Sequence, residues 1–373
     1  MEVDVAIVGA GPAGATLAAL LAKRGASVAL LDRDTFPRDK LCGEFLSYDA
    51  LAILELLGAL TEIDRGGAPH IHTCRVVGSR RTYEFALPHP ARGVSRLFLD
   101  ELLLRIAAQN GATRLDGTTA STLTATSVND IQAKVVVGAW GRWGRFDQQL
   151  QRGFVRDRSR RNFGFKRHYH GTPATTIDLY SFHRGYLGVN AVEGGVTNIC
   201  GLVHASRLSG HKGRWDAFIE TIRAEEPRLD ALYAAHTPAQ DGYLSSEPVI
   251  FRARSAVEGG VFMIGDASGV IDPLTGNGMA MAIQSALLAA PLLLRLLESP
   301  SSRTAIEDEY RRAHHRFFAP RIAWSRRVAM LLSRPRLLDA ALAPMHHTKA
   351  GEFFLARTRA SLPEVERLLT AWA

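Results

Sequence analysis

Apolar residues follow two rhythms along this chain. Near the start they are consecutive: VDVAIVG (3–9) and ASVALLD (26–32) read as strands buried on both faces. Between them GAGPAGATLAALLAKRG (9–25) has helical spacing and stops at Gly25, so residues 3–32 predict a strand–helix–strand unit. A polar, proline-containing connection (33–43) leads to a helix around 47–60 and a ribbon, RRTYEFALP (80–88). Helical spacing returns in 95–112, with Gly111 as its stop signal, and AKVVVGA (133–139) is a third buried strand. From about 160 to 250 the rhythm becomes alternating and aromatic, in IDLYSF, GYLGVNAV and VTNICGLV, which predicts antiparallel strands. A helix over 213–227 stops before Pro227. VFMIGDAS (261–268) is a further buried strand, followed by a glycine-rich turn, a long helix, and a mostly helical 303–373.

Composition narrows the class. With 373 residues, 46% hydrophobic and 22% charged, the chain can bury a large core and is not disordered in character. Cys42, Cys74 and Cys200 are an odd, widely spaced set, which argues against a disulfide framework and fits a reducing, cytoplasmic setting. No secretory signal pattern opens the sequence. The apolar run 280–297 is interrupted by Gln284, Ser285, Pro291 and Arg295 and reads as a buried helix rather than a membrane span. Net charge is +8, concentrated in 142–167 and 310–360. Solvated arginines explain such patches as well as an anionic cofactor or membrane does, and no nucleic-acid motif accompanies them. The histidine pairs 168/170, 314/315 and 346/347 lack matching carboxylate or cysteine spacing, so no metal site is expected.

Two motifs carry chemistry. Gly9-Ala10-Gly11-Pro12-Ala13-Gly14 lies between a strand and a helix, and Asp32 ends the next strand. Gly9 permits a tight turn, Gly11 lets a pyrophosphate approach the backbone, Gly14 allows close helix packing, and Asp32 can bond a ribose hydroxyl. The motif by itself does not separate FAD from NAD. In 261–286, Gly265-Asp266 follows a strand, and Pro273, Gly276 and Gly278 precede a helix. Asp266 can bond a sugar-alcohol chain, and that helix's N-terminus can stabilise negative charge on a reduced isoalloxazine.

These pieces, with RDKLCGEFLS (38–47) and VSRLFLDELLL (94–104), resemble in order and over most of the chain the single-Rossmann FAD-dependent monooxygenase superfamily of the p-hydroxybenzoate hydroxylase fold. The resemblance is to the branch with geranylgeranyl reductase-like oxidoreductases and flavin-dependent halogenases. It implies an α/β fold with an α+β insertion. A discontinuous, doubly wound Rossmann-type FAD domain would take residues 1–75, 92–158 and 246–305; a substrate-binding antiparallel sheet 76–91 and 159–245; and a C-terminal helical region 306–373. It implies FAD contacts from Gly9, Gly11, Ala13, Gly14, Asp32, Arg33, Lys40, Cys42, Gly43, Arg96, Gly265, Asp266, Pro273, Gly276, Gly278 and Met279. Electrons would come from NAD(P)H or a partner flavin reductase.

Departures from the family pattern shape the expected reaction. The halogenase Trp-x-Trp-x-Ile-Pro element and its lysine are missing, and LYSFHRGYLGVNAVEGG (179–195) does not keep the Tyr-x-Trp-x-Phe-Pro element of lipid-reducing relatives. Hydroxylation of an aromatic or polyketide-like molecule of secondary metabolism leads, and reduction of a carbon–carbon double bond is the alternative. Candidate acids and bases are Cys42, Glu44, His168, Tyr180 and Tyr186, with Lys166, His170 and His183 on the same substrate wall. Trp140 stands where the family has an aspartate that organises FAD and NADPH, which makes VVVGAWGRWGR (135–145) a cofactor rim with an altered donor network. The mixed apolar and arginine pattern of 321–345 reads as a helical layer on the flavin domain, or as a membrane-surface lid for a lipophilic substrate.

Overall fold

The computed structural model describes all residues except 158–161, 172, 173, 212, 346 and 347. Residues 159–161 of the expected substrate sheet and the 346/347 histidine pair therefore lie outside the described residues.

Strands β1 (Glu2–Val8) and β2 (Val28–Asp32) flank helix α1 (Pro12–Lys23). Strands β3 (His70–Val77) and β4 (Thr82–Gly93) form a hairpin, followed by α2 (Arg96–Gln109), β5 (Thr113–Asp116) and β6 (Ile131–Gly138). Strands β7 (Asn162–His170), β8 (Thr176–Phe182), β9 (Gly185–Val192) and β10 (Val196–His204) make the alternating region. Helices α3 (Trp215–Glu225) and α4 (Pro227–Ala234) come next, then β11 (Val261–Met263) and α5 (Gly278–Glu298). The chain closes with α6 (Arg303–Leu332), α7 (Pro335–Met345), α8 (Ala350–Thr358) and α9 (Leu362–Trp372).

The first sheet runs β11-β6-β1-β2-β5 with every neighbour parallel, and short antiparallel strands at 257–258 and 127–128 add to it. Helices α1, α2 and α5 cover one face, where Leu17, Leu20, Leu103 and Leu287 are fully buried. The second sheet orders β7-β10-β9-β8-β3-β4, with short strands at 45–46, 237–238 and 244–245. It starts earlier than a boundary at 75/76: residues 45–46 and all of β3 belong to it, because β3 pairs parallel with β8. Pro227 ends one helix and opens another, since proline lacks only an N–H that the first turn leaves unpaired anyway. Helix α5 is long and apolar enough to cross a membrane, but most of it is buried within the fold.

Candidate active site

Three backbone features converge at the carboxyl ends of the parallel strands. At Gly14 a Cβ would collide with the Gly9 carbonyl, and at Gly9 with the Ala139 carbonyl, so both glycines are required for the first turn to nest against β6. The Gly265 turn rests on the same place, a Cβ there falling 2.9 Å from Ala13 Cβ. Helices α1 and α5 pack together; neither has a side-chain cap or an acid in its first turn, leaving two N-termini with open N–H groups. Asp32 accepts from the Ala10 and Asp34 amides at 2.7 and 3.0 Å, fixing the glycine loop beside its own carboxylate. Arg96 brings its guanidinium to 3.5 Å from where a Gly11 Cβ would stand, and Asp100 holds it through bonds of 2.7 and 2.6 Å. Asp266 is half-buried; desolvation pushes its carboxyl up, opposed by Arg142, Arg254 and Arg96. Pro273 opens the turn ending at Gly276, whose left-handed backbone abuts the Phe45 ring, and Met279 is buried behind it. Asn277 is fully buried with its Oδ1 unpartnered, an acceptor left over at the mouth of α5. Glycine cradles, two uncapped helix N-termini and an orphaned polar atom fit a dinucleotide carrying a flavin.

Beside that cradle the loop 38–44 meets the second sheet. Glu44 is fully buried in left-handed backbone (φ 54°), a conformation that costs a side-chain-bearing residue energy and persists only where contacts enforce it. Its carbonyl accepts from the Val94 amide at 2.9 Å and Asn190 Nδ2 at 3.3 Å. One carboxylate oxygen accepts from the Arg96 amide (2.9 Å) and Lys166 Nζ (2.6 Å), and the other meets His168 Nε2 at 2.7 Å. Lys166 also donates to Asp39 at 2.6 Å. Burial by itself would lower the Lys166 pKa, but Glu44 and Asp39 overcome it and hold the ammonium charged. Cys42 accepts the Glu44 amide at its sulfur (3.4 Å), and burial, opposed by Arg96, pushes its thiol up.

Strand register decides which predicted residues share this corner. Lys166 pairs with Cys200, His168 with Asn198, Asn190 with Asn198 and Gly188 with Cys200, so all of them face the cradle. Tyr180 pairs with Leu187 and packs on the opposite face against α3 and α4, away from the cleft. His183 is exposed in the β8–β9 turn and His170 at the end of β7. Tyr186 does face inward, but its hydroxyl is spent on Asp272 (2.6 Å), and burial raises it well above the ordinary phenol range. Arg33 is largely exposed and pairs with Asp34, and Lys40 likewise turns to Asp34 at 3.0 Å. Around Gly43 there is open space.

Trp140 departs from the rim reading. Gly141 (φ 83°) reverses the backbone, and the half-buried indole folds under β6 against the core on the far side of the sheet. It rests on Gly138, Gly144 and Phe146 and donates to Asp147 at 3.2 Å. Sequence reading missed Asp39, Asn190 and Asn198 as well. Asn198 is fully buried, donates to the Cys42 carbonyl at 3.2 Å and leaves its Oδ1 unpartnered. Its place opposite His168 in a strand pair was the only available signal. Among the described residues no three His, Cys, Asp or Glu side chains converge as a metal site would require.

A doubly wound sheet with this cradle, opposed by an antiparallel sheet, defines a flavin-dependent oxidoreductase that uses FAD. The chain belongs to the FAD binding domain family, whose pattern matches residues 2–322. A menaquinone reductase of Mycolicibacterium smegmatis is 27% identical over 90% of this chain and 86% of its own length. The myxobacterial chondrochloren halogenase superposes with a TM-score of 0.77 at 19% identity, covering 100% of this chain and 96% of that one. PqsL, a probable FAD-dependent monooxygenase from Pseudomonas aeruginosa, superposes with a TM-score of 0.72 at 18% identity, covering 92% of this chain and 99% of the other.

Proposed function

We propose that the protein hydroxylates a lipophilic phenol or polyketide-like aromatic. The observation that carries this reading is the His168–Glu44 pair: a partly exposed imidazole on the cradle-facing side of the sheet, backed by a buried carboxylate. Bound, reduced FAD supplies two electrons and oxygen activation, so that one oxygen atom enters the ring and the other leaves as water. His168 takes the phenolic proton at Nδ1, directly or through a water, while its Nε2–H stays on Glu44, and this raises electron density on the ring. Glu44 steadies the imidazolium, and Lys166 holds the other Glu44 oxygen at 2.6 Å. Ile177, Leu179, Val76 and Phe85 continue the same face of the sheet as apolar surface, packed toward Leu355 of α8. PqsL, a probable monooxygenase of the same architecture, supports the reading. The test is turnover of alkyl-substituted phenols by photoreduced enzyme under labelled oxygen. Incorporation of one labelled atom is expected, and product formed without oxygen would overturn it.

Cys42 favours a second reading, reduction of a carbon–carbon double bond. Its thiol stays protonated beside the cradle, as a donor to the carbon opposite hydride addition must, and the similar menaquinone reductase points the same way. Anaerobic turnover with a gain of two hydrogens, lost in Cys42→Ser, distinguishes it. The electron donor is NAD(P)H or a partner reductase; rapid anaerobic flavin bleaching by NADPH identifies the first.

A further inference from the structure

The helices that close the chain turn one face toward the FAD loop and another toward solvent, and the outer one is unusual. Six large apolar side chains are exposed among the described residues, and three of them, Met330 (50%), Leu337 (50%) and Phe353 (47%), lie on α6, α7 and α8. The inner faces of the same helices are ordinary core: Ile322, Leu332, Leu338, Leu342 and Leu355 are buried. Exposure of the outer residues is therefore not a sign that these helices are loosely packed.

Arginines are interleaved with these side chains. Arg327, Arg334, Arg336 and Arg357 are exposed, and among the described residues none of the four forms an ion pair with a carboxylate. Arg357 lies 5.2 Å from the Phe353 ring centre and 5.7 Å from that of Trp324, Arg327 lies 5.0 Å over Trp324, and the two rings meet edge-on at 5.8 Å. The two acids nearby are engaged: Asp339 accepts the Arg80 and Arg81 amides, and Glu352 faces Lys349. The surface thus combines aliphatic anchors, an aromatic pair and uncompensated cations whose stems can lie along apolar surface.

We propose that this outer face of α6, α7 and α8 docks the protein on an anionic lipid bilayer. A second copy of the chain would set the same arginines against one another, and a nucleic acid would leave Met330 and Leu337 in water. A bilayer with acidic headgroups satisfies both components at once, the arginines at the phosphate level and the apolar side chains just beneath. The proposal goes beyond the hydroxylation reading and does not depend on it.

The test is co-sedimentation of the FAD-loaded protein with vesicles of phosphatidylcholine plus phosphatidylglycerol, against phosphatidylcholine alone. Binding to the acidic vesicles that weakens with added salt is expected, reduced about tenfold or more by Arg334→Glu with Arg336→Glu. Met330→Ser with Leu337→Ser is expected to abolish it while leaving flavin absorbance and the melting temperature in place. Bromolipids are expected to quench tryptophan emission in the wild type, a reading that needs no variant to fold, and not in Trp324→Phe. Absence of binding and quenching, or equal binding by both paired variants, overturns the proposal. So does a free protein whose solution mass falls to the monomer in the variants, which would make the face a dimer contact. Vesicle binding is read without turnover, so failure here leaves the proposed reaction standing.

Discussion

At the residue scale, the candidate site turns on a few buried charges. Lys166 is fully enclosed with Glu44 and within 2.6 Å of both Glu44 and Asp39. Lys166→Met is expected to destabilise the protein by about 3–5 kcal/mol, because it leaves a buried carboxylate uncompensated; thermal melting measures it. His168→Gln, by contrast, sits at a partly exposed position and is expected to lower turnover about a hundredfold or more with little change in melting, if the imidazole is the base. Trp140→Asp would act on the packing beneath β6 rather than on nicotinamide docking. It would remove a half-buried indole packed on Gly138 and Phe146 and set a second carboxylate beside Asp147, so a loss of about 1–3 kcal/mol is expected. The tryptophan was legible as a departure from the family, but whether its ring faced the cofactor or the core depended on the reversal at Gly141, which one sequence does not reveal.

At the element scale, two buried groups make the stability of the cradle depend on pH in opposite senses. Burial holds the Asp272 carboxyl at about 6, above its unfolded value, even with Tyr186 and the Leu274 amide bonding to it. The folded state therefore prefers the acid form, and the destabilisation grows as pH rises from about 4 to 6 and is complete above that. Asp272→Asn keeps the Oδ1 acceptor and is expected to raise stability at pH 7 by on the order of 3 kcal/mol, with no gain below pH 4. His314 on α6 bonds Ser268 at 2.8 Å, and burial pushes its pKa down to about 3, so stability is lost as pH falls from about 6.5 toward 3. His314→Gln is expected to flatten that acid limb in melts taken between pH 3 and 7. The glycine-rich turns and most helices and strands were readable from spacing, whereas α4 and β3 were not. Pro227 looks like a stop signal whether a helix ends or begins there, and β3 owes its place to pairing with a strand about a hundred residues later.

At the scale of the whole molecule, the last helices are part of the flavin site's frame. Arg359 is buried and donates to Ser47 Oγ and the Thr275 carbonyl, both at 2.8 Å, while the Thr358 carbonyl accepts from Asn277 at 2.7 Å. Asp49 accepts from Gln284 and the Ala360 amide at 2.9 Å, tying the same segment to α5. Removing residues 350–373 is expected to yield protein that loses its yellow colour on gel filtration, measured as the flavin-to-protein absorbance ratio. The sequence by itself determined the strand–helix–strand unit, the Gly9–Gly14 and Gly265–Gly278 turns, the alternating sheet region and the helical close, because periodicity and glycine geometry are local properties. Only the tertiary structure decided that Glu44, Lys166, His168 and Asp39 form one corner, that Tyr180 turns away, and that Arg359 locks the flavin loop. Those contacts join residues far apart in the chain, and strand register, where one position changes the face, settles them.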